Sequence, residues 1–230
     1  INGVKSPVND GMVADFIVVA ANTDSNKNYN SISLFIVDTK QNEVEIEKLE
    51  TLDPTRPSAR IKFNSAKAEV LGELGSGWNM IQDILNRSAV LFAFEQVGGA
   101  QAALDDAKKY SLERYAFGKQ IGAFQALKHK MADMYVKIEL AKSNTYYGAW
   151  ALSTDSNELP VAAAGARVSA SEAFHYASKE NIQIHGGVGF TWEYDCHLFY
   201  RRSKLLSLNL GSIRKWKENL ISNLEKRNIT

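Results

Sequence analysis

The spacing of apolar side chains changes once along this chain, near residue 74, and that change limits what the chain can build. Before it, apolar residues come in short runs or alternate with polar ones, the period of a strand. After it they recur at three- and four-residue steps, the period of a helix. Residues 1–73 are therefore predicted to be strand-built and residues 74–230 helix-built, an α+β chain rather than an alternating α/β one.

In the first part, Asp15-Phe16-Ile17-Val18-Val19-Ala20 and Ser33-Leu34-Phe35-Ile36-Val37 read as paired strands joined by a polar loop from Asn22 to Asn30. Glu43-Val44-Glu45-Ile46-Glu47 and Arg60-Ile61-Lys62-Phe63 alternate charge with apolar bulk, so each has one wet and one buried face. Pro54 and Pro57 interrupt the chain between them.

Past the glycine-rich segment 72–77, residues 78–115 form one long amphipathic stretch with Ile81, Ile84, Leu85, Leu91, Val97 and Leu104 on its apolar side. The Gly98-Gly99 pair inside it costs about 1 kcal/mol per glycine relative to alanine, which predicts close helix packing there. A second helix is expected over residues 124–152, with Leu127, Met131, Met134, Ile138 and Ala141 in step. A third runs from near Pro160 in its first turn to His185, where Gly186-Gly187-Val188-Gly189 stops it. Residues 195–227 supply more helix around a break at Gly211. Short connections make an antiparallel four-helix bundle the economical architecture for residues 74–230.

Charge and composition exclude several functions. With 27 Lys and Arg against 26 Asp and Glu among 230 residues, the chain has no global excess of charge to hold a polyanion, so no nucleic-acid partner is expected. The single Cys196 cannot form an intrachain disulfide, and no Cys/His cluster has zinc-ligand spacing, so no metal site and a reducing, cytoplasmic setting are expected. No stretch approaches the roughly 20 apolar residues of a membrane span. Ile1-Asn2-Gly3-Val4-Lys5 carries neither an initiator Met nor a leader pattern, which suggests a portion of a longer protein.

Two segments have the makings of a site. Arg114-Tyr115-Ala116-Phe117-Gly118-Lys119-Gln120-Ile121-Gly122-Ala123-Phe124-Gln125 puts a guanidinium at the end of one helix and the free N–H groups of the next helix beyond a glycine turn. Those groups suit a phosphate or pyrophosphate, and they equally suit a plain helix–helix turn with a surface Arg. Gln183-Ile184-His185-Gly186-Gly187-Val188-Gly189-Phe190 ends a helix in glycines, which lets another backbone or a cofactor come close. It is neither a P-loop nor a Rossmann turn, because no Lys-Ser/Thr pair follows it and a helix, not a strand, precedes it.

Taken together, these segments resemble the acyl-CoA dehydrogenase flavoprotein family, over the whole chain. The family pattern Arg-x-x-Phe-Gly-x-x-(Ile/Leu)-x-x-x-Gln is matched by Arg114, Phe117, Gly118, Ile121 and Gln125, and Gln-Ile-x-Gly-Gly-x-Gly-(Phe/Tyr) by residues 183–190. The opening residues 1–5 and segment 71–78 also look like the family's middle β-domain and its exit into the C-terminal helices.

The resemblance implies that residues 1–73 are part of a β-barrel-like middle domain and 74–230 a four-helix domain that binds FAD and oligomerises as a dimer or tetramer. Arg114, Phe117 and Gln125 would meet the ADP and ribityl part of a neighbouring subunit's FAD, and Gln183, Gly186 and Gly187 would line the same cofactor. The implied reaction of the longer protein is α,β-desaturation of an acyl-CoA thioester, by removal of the α-proton and transfer of the β-hydride to the flavin. An electron-transfer flavoprotein then takes the electrons. A purely structural bundle would leave these residues as surface accidents.

The sequence also departs from the family. The catalytic base is usually a Glu before a Gly, and here Leu210 stands before Gly211. Members that carry the Glu on the first long helix have it where this chain reads Asn86-Arg87-Ser88-Ala89. Leucine accepts no proton, and Glu95 and Glu193 are the nearest remaining candidates, Glu193 being expected in the first turn of the next helix. Pro7-Val8-Asn9 replaces the Trp-Ile-Thr that many members hold beside the flavin. Gly189 to Glu193 and His197 to Arg202 are like a subgroup acting on bulky acyl-CoAs, some of whose members pair unlike subunits. That raises an alternative, a catalytically silent subunit completing the FAD site of a hetero-oligomer.

Overall fold

The computed structural model describes residues 1–24 and 28–229, so the expected polar loop from Asn22 to Asn30 lies partly outside the described residues. The contacts divide the chain into two compact units, Ile1–Ile84 and Leu85–Thr230.

The first unit holds two small open antiparallel sheets. One has the order β1 (Gly3–Asn9), β5 (Ser58–Phe63), β4 (Val44–Leu49); the other has the order β2 (Phe16–Asn22), β3 (Ile32–Asp38), β6 (Glu69–Leu71). The expected strand pair is present, Val19 lying opposite Phe35 across β2 and β3; the two alternating segments also pair, with Ile46 opposite Ile61 across β4 and β5. Alternation decides which side chains turn inward. Ile61 and Phe63 are buried while Arg60 and Lys62 face water beside Glu47 and Glu45. Val19 and Val37 from one sheet join Ala59, Ile61 and Phe63 from the other in a single core.

The glycine-rich segment brings the first helix close to β3. A Cβ on Gly77 would stand 2.8 Å from the Ile32 carbonyl oxygen, and Gly75, at φ +82, donates its N–H to the Ser33 hydroxyl at 2.8 Å. Helix α1 (Gly77–Glu113) therefore starts against the sheet backbone and continues into the second unit.

The second unit contains the rest of α1, α2 (Gln125–Ser153), α3 (Leu159–His185), α4 (Cys196–Leu208) and α5 (Ile213–Ile229). The architecture is mixed α+β with five α-helices among the described residues, the sequence tail dividing into α4 and α5 at Gly211, whose φ is +95. Pro160 falls in the first turn of α3, and the glycine run after His185 ends it. α3 is central to this unit. It is buried along most of its surface, with Glu172, Lys179 and Gln183 on an exposed stripe, and packs against α2, α4 and α5.

The Gly98-Gly99 pair divides its roles. Gly99 faces Phe174 so closely that a Cβ there would meet the ring at 2.5 Å, whereas a Cβ on Gly98 meets nothing within 4 Å. Gly99→Ala should therefore cost about 1–3 kcal/mol by overpacking. Gly98→Ala should stabilise by about 0.5–1 kcal/mol through helix propensity and the unfolded chain. Urea denaturation of the two variants should shift the midpoint in opposite directions.

Candidate cofactor-binding site

The first site segment begins where α1 ends. After Arg114 the chain makes a two-residue hairpin, β7 (Tyr115–Ala116) against β8 (Lys119–Gln120), turning through Phe117 and Gly118 at φ 52 and 79. Positive φ at both turn residues is the twist a tight hairpin needs, and Asn-Gly usually supplies it. A phenylalanine there is strained by about 1–2 kcal/mol, and it gains nothing from burial because it is 94% exposed.

The hairpin is tied back to α1. Ile121 N–H donates to the Arg114 carbonyl at 2.8 Å, the Gln120 amide donates to the Leu112 carbonyl at 2.5 Å, and Gly122 lies where a Cβ would meet the Ser111 carbonyl at 2.9 Å. Phe124, the residue before α2, offers its N-terminus no side-chain cap, so the first N–H groups, beginning at Gln125, stay available. The Phe124 ring lies under Lys119 Nζ at 4.4 Å and edge-on to Phe117 at 6.2 Å. Arg114 and Gln125 are both exposed.

The second segment is the end of α3, where Gln183, Gly186 and Gly187 are exposed. Each glycine can be asked why it is there. Gly186 has φ +65, and a Cβ on Gly189 would stand 2.8 Å from the Ile182 carbonyl, so the chain itself explains both. Gly187 has neither reason, since a Cβ there meets nothing within 4 Å. Open space above a glycine is what a group arriving from outside the chain requires.

Stacking puts the two segments at one end of the helical unit. His185, immediately before Gly186, stacks on Tyr110 at 4.1 Å, one turn before Arg114, and Tyr194 meets both rings edge-on. His185 Nδ1 donates to the Asn181 carbonyl at 2.9 Å, and the Asn181 amide donates to Asp106 at 2.9 Å. Ile121 and Ile184 share one hydrophobic cluster beneath. No hydrogen bond joins Arg114, Gln125 and Gln183 to one another among the described residues.

The acid candidates lie elsewhere. Glu95 accepts a bond from Arg202 Nη1 at 2.9 Å, an ion pair between α1 and α4. Glu193 is exposed in the turn before α4, which starts at Cys196, so it is not the first-turn acid expected from the sequence. Leu210 packs on an apolar cluster that includes Ala89, the last residue of the other segment where the resemblance would place a base. Cys196 is buried with its thiol on the Gly189 carbonyl at 3.3 Å, and burial pushes its pKa up to about 11, so it serves as no nucleophile. No group of three or more His, Cys, Asp or Glu able to hold a metal ion occurs among the described residues, and none of their helices is long and apolar enough to cross a membrane.

An α+β chain with this helical unit has the fold of the acyl-CoA dehydrogenases. Residues 75–214 match the family described as acyl-CoA dehydrogenase, C-terminal domain, and the chain belongs to the acyl-CoA dehydrogenase family. It is 37% identical over 165 residues to acyl-CoA dehydrogenase IpdE2 of Mycobacterium tuberculosis, covering 72% of this chain and 47% of that protein. It is 33% identical to caffeyl-CoA reductase-Etf complex subunit CarC of Acetobacterium woodii, covering 92% of this chain and 57% of the relative. The solved structure of butyryl-CoA dehydrogenase from Megasphaera elsdenii superposes with a TM-score of 0.92 at 29% identity, over 97% of this chain and 59% of that one. The chain thus spans about half to three-fifths of the proteins it resembles.

The strain at Phe117 gives a test that needs no knowledge of substrate. Phe117→Asn suits the left-handed turn better and should stabilise the fold by about 1 kcal/mol, read as a rise in the denaturation midpoint. If the exposed ring exists to meet a cofactor, the same variant should retain that cofactor less well.

Proposed function

We propose that the protein to which this chain belongs is an FAD-dependent acyl-CoA oxidoreductase that desaturates an acyl-CoA thioester between its α and β carbons. The observation that carries this reading is the pairing of a strained, exposed Phe117 with an open Gly187 at one end of the helical unit, since the fold itself has no use for either. The residues fit FAD. Arg114 would give charge-assisted bonds to the pyrophosphate, assisted by the uncapped start of α2 at Gln125. Phe117 would cover the ADP and ribityl portion, and Gln183, Gly186 and Gly187 would admit it at van der Waals distance. FAD, when bound, supplies the two-electron acceptor that this chemistry needs.

On this reading residues 1–73 are part of a barrel-like middle β-domain, and 74–230 form the C-terminal four-helix domain with its extra terminal helix. The FAD site is shared between subunits of a dimer or tetramer, acyl-CoA is the substrate and an electron-transfer flavoprotein the redox partner. The kinship with an Etf-complex subunit supports that last point. Replacing Arg114 with Ala in the whole protein should remove about 1.5–3 kcal/mol of binding and weaken FAD retention roughly ten- to a hundredfold. Flavin absorbance after gel filtration near the dissociation constant reads this directly. Unchanged retention would overturn the cofactor assignment.

A second reading is favoured by one specific observation, the packing of Leu210 on an apolar cluster where a carboxylate would be needed. The subunit would then complete an FAD site without removing a proton, in a hetero-oligomer whose other subunit carries the base. The whole protein alone should bind FAD yet fail to bleach it with acyl-CoA, and Leu210→Glu should raise the single-turnover rate of flavin reduction, by a factor of up to about 10²–10⁴. Fast wild-type reduction abolished by Glu95→Gln or Glu193→Gln would instead return the subunit to self-sufficient catalysis.

A further inference from the structure

Arg167, in the middle of α3, is fully buried. Its Nη1 donates to Gln96 Oε1 at 2.7 Å, and the Gln96 amide in turn donates to Ser171 Oγ at 3.0 Å. Its Nη2 donates to the carbonyl oxygens of Leu206 and of Asn209, the second at 2.6 Å, and its Nε has no hydrogen-bond partner. The Phe92 ring lies 6.0 Å away. No carboxylate pairs with this guanidinium among the described residues, and burial pushes its pKa down to about 10. A buried cation with no acid beside it is costly, and what compensates it here is the partial negative charge of the carbonyls ending α4.

Those carbonyls open the turn from α4 into α5. Leu210 and Gly211 both have positive φ, 61 and 95, and Leu210 is the strained one because it carries a branched side chain. The turn is held from two sides: Asn209 O by Arg167, and Leu210 O by Trp216 Nε1 at 3.0 Å. Ser212 Oγ then accepts the Lys215 N–H at 3.3 Å, starting α5. Strained backbone persists where its surroundings over-determine it, and here two buried donors from separate helices do so.

We propose that Arg167 is a positioning residue for position 210: it fixes the backbone of residues 209–211 and sets the charge felt by whatever side chain stands at 210. The significance of that position rests on the acyl-CoA oxidoreductase reading, whereas the clamp does not. Because the guanidinium binds the carbonyl next to residue 210, an ionisable group placed there should be biased toward its anionic form.

The experiment places a thiol there by Leu210→Cys in the whole protein and follows its alkylation by iodoacetamide against pH, peptide by peptide, by mass spectrometry. The native Cys196 is buried and reacts far more slowly. With Arg167 present, the midpoint of the introduced thiol should lie about one pH unit below that in the Arg167→Gln background, and Arg167→Lys should restore it. Hydrogen exchange supplies a second readout. Arg167→Lys keeps the charge but cannot reach both carbonyls and Gln96 together, so exchange should quicken in the peptide spanning 206–212 and not in α5 beyond Trp216. An equal midpoint in the Arg167 and Arg167→Gln proteins overturns the electrostatic part. If Arg167→Gln does not fold, the lysine variant decides, and exchange unchanged at 206–212 or raised uniformly through the helices overturns the clamp. Neither readout needs bound flavin, so failure of the cofactor reading would leave this result distinguishable from it.

Discussion

The structure of the helical unit depends on the thinness of α3. Ala162, Ala163, Ala164, Ala166, Ala170, Ala173 and Ala177 are all buried, and with one-carbon side chains they let the neighbouring helices come close. The neighbours answer with small residues of their own. Gly148 of α2 lies where a Cβ would meet Val90 at 3.2 Å and Ala166 at 3.4 Å, and Gly99 of α1 makes room for Phe174. Polar groups on the buried part of such a helix are costly unless they are paired. Ser171 bonds Gln96, Ser178 bonds Ser203 at 3.1 Å and Asn181 bonds Asp106, so a seam of specific bonds down α3 fixes its register against α1 and α4.

That register is what carries the candidate site. Asn181 and His185 are the last members of the seam, and they hold the end of α3 against Tyr110 and Asp106 near the end of α1. Two motifs far apart in sequence therefore arrive at one end of the unit, with Ile121 and Ile184 in one hydrophobic cluster beneath them. The clamp at Arg167 belongs to the same seam and applies it to the α4–α5 turn. The chain holds the backbone at residue 210 from two sides while giving that position an apolar side chain.

Much of this was legible before any coordinates. Alternation in Arg60-Ile61-Lys62-Phe63 named the buried face of β5 correctly, because a strand with one wet side has little choice. Pro160 and the glycines after His185 marked both ends of α3 to within a residue, since each acts on the backbone locally. What escaped was non-local. Nothing in the sequence near Arg167 says that its guanidinium reaches carbonyls about forty positions later, nor that Gly99 and not Gly98 faces Phe174. Glu193 looked like a first-turn acid because helix starts are set by backbone turns as well as by composition, and the Thr191–Asp195 turn delays α4 to Cys196. Phe117 is visible in the sequence as part of a family motif, but its left-handed backbone is not, because a hairpin turn normally advertises itself with Asn or Asp.

The hairpin at residues 115–120 has a consequence for how the protein behaves as its surroundings change. A ligand that seats on Phe117 and Gly187 recognises the folded arrangement and not the open chain, so its free concentration enters the folding equilibrium by mass action, as RT ln(1 + [L]/Kd). The strain kept in the turn lowers the stability of the fold, which a bound ligand would offset. A cell short of that ligand would hold a larger unfolded fraction of this protein, so supply of the ligand would govern how much protein survives proteolysis as well as how much of it is loaded.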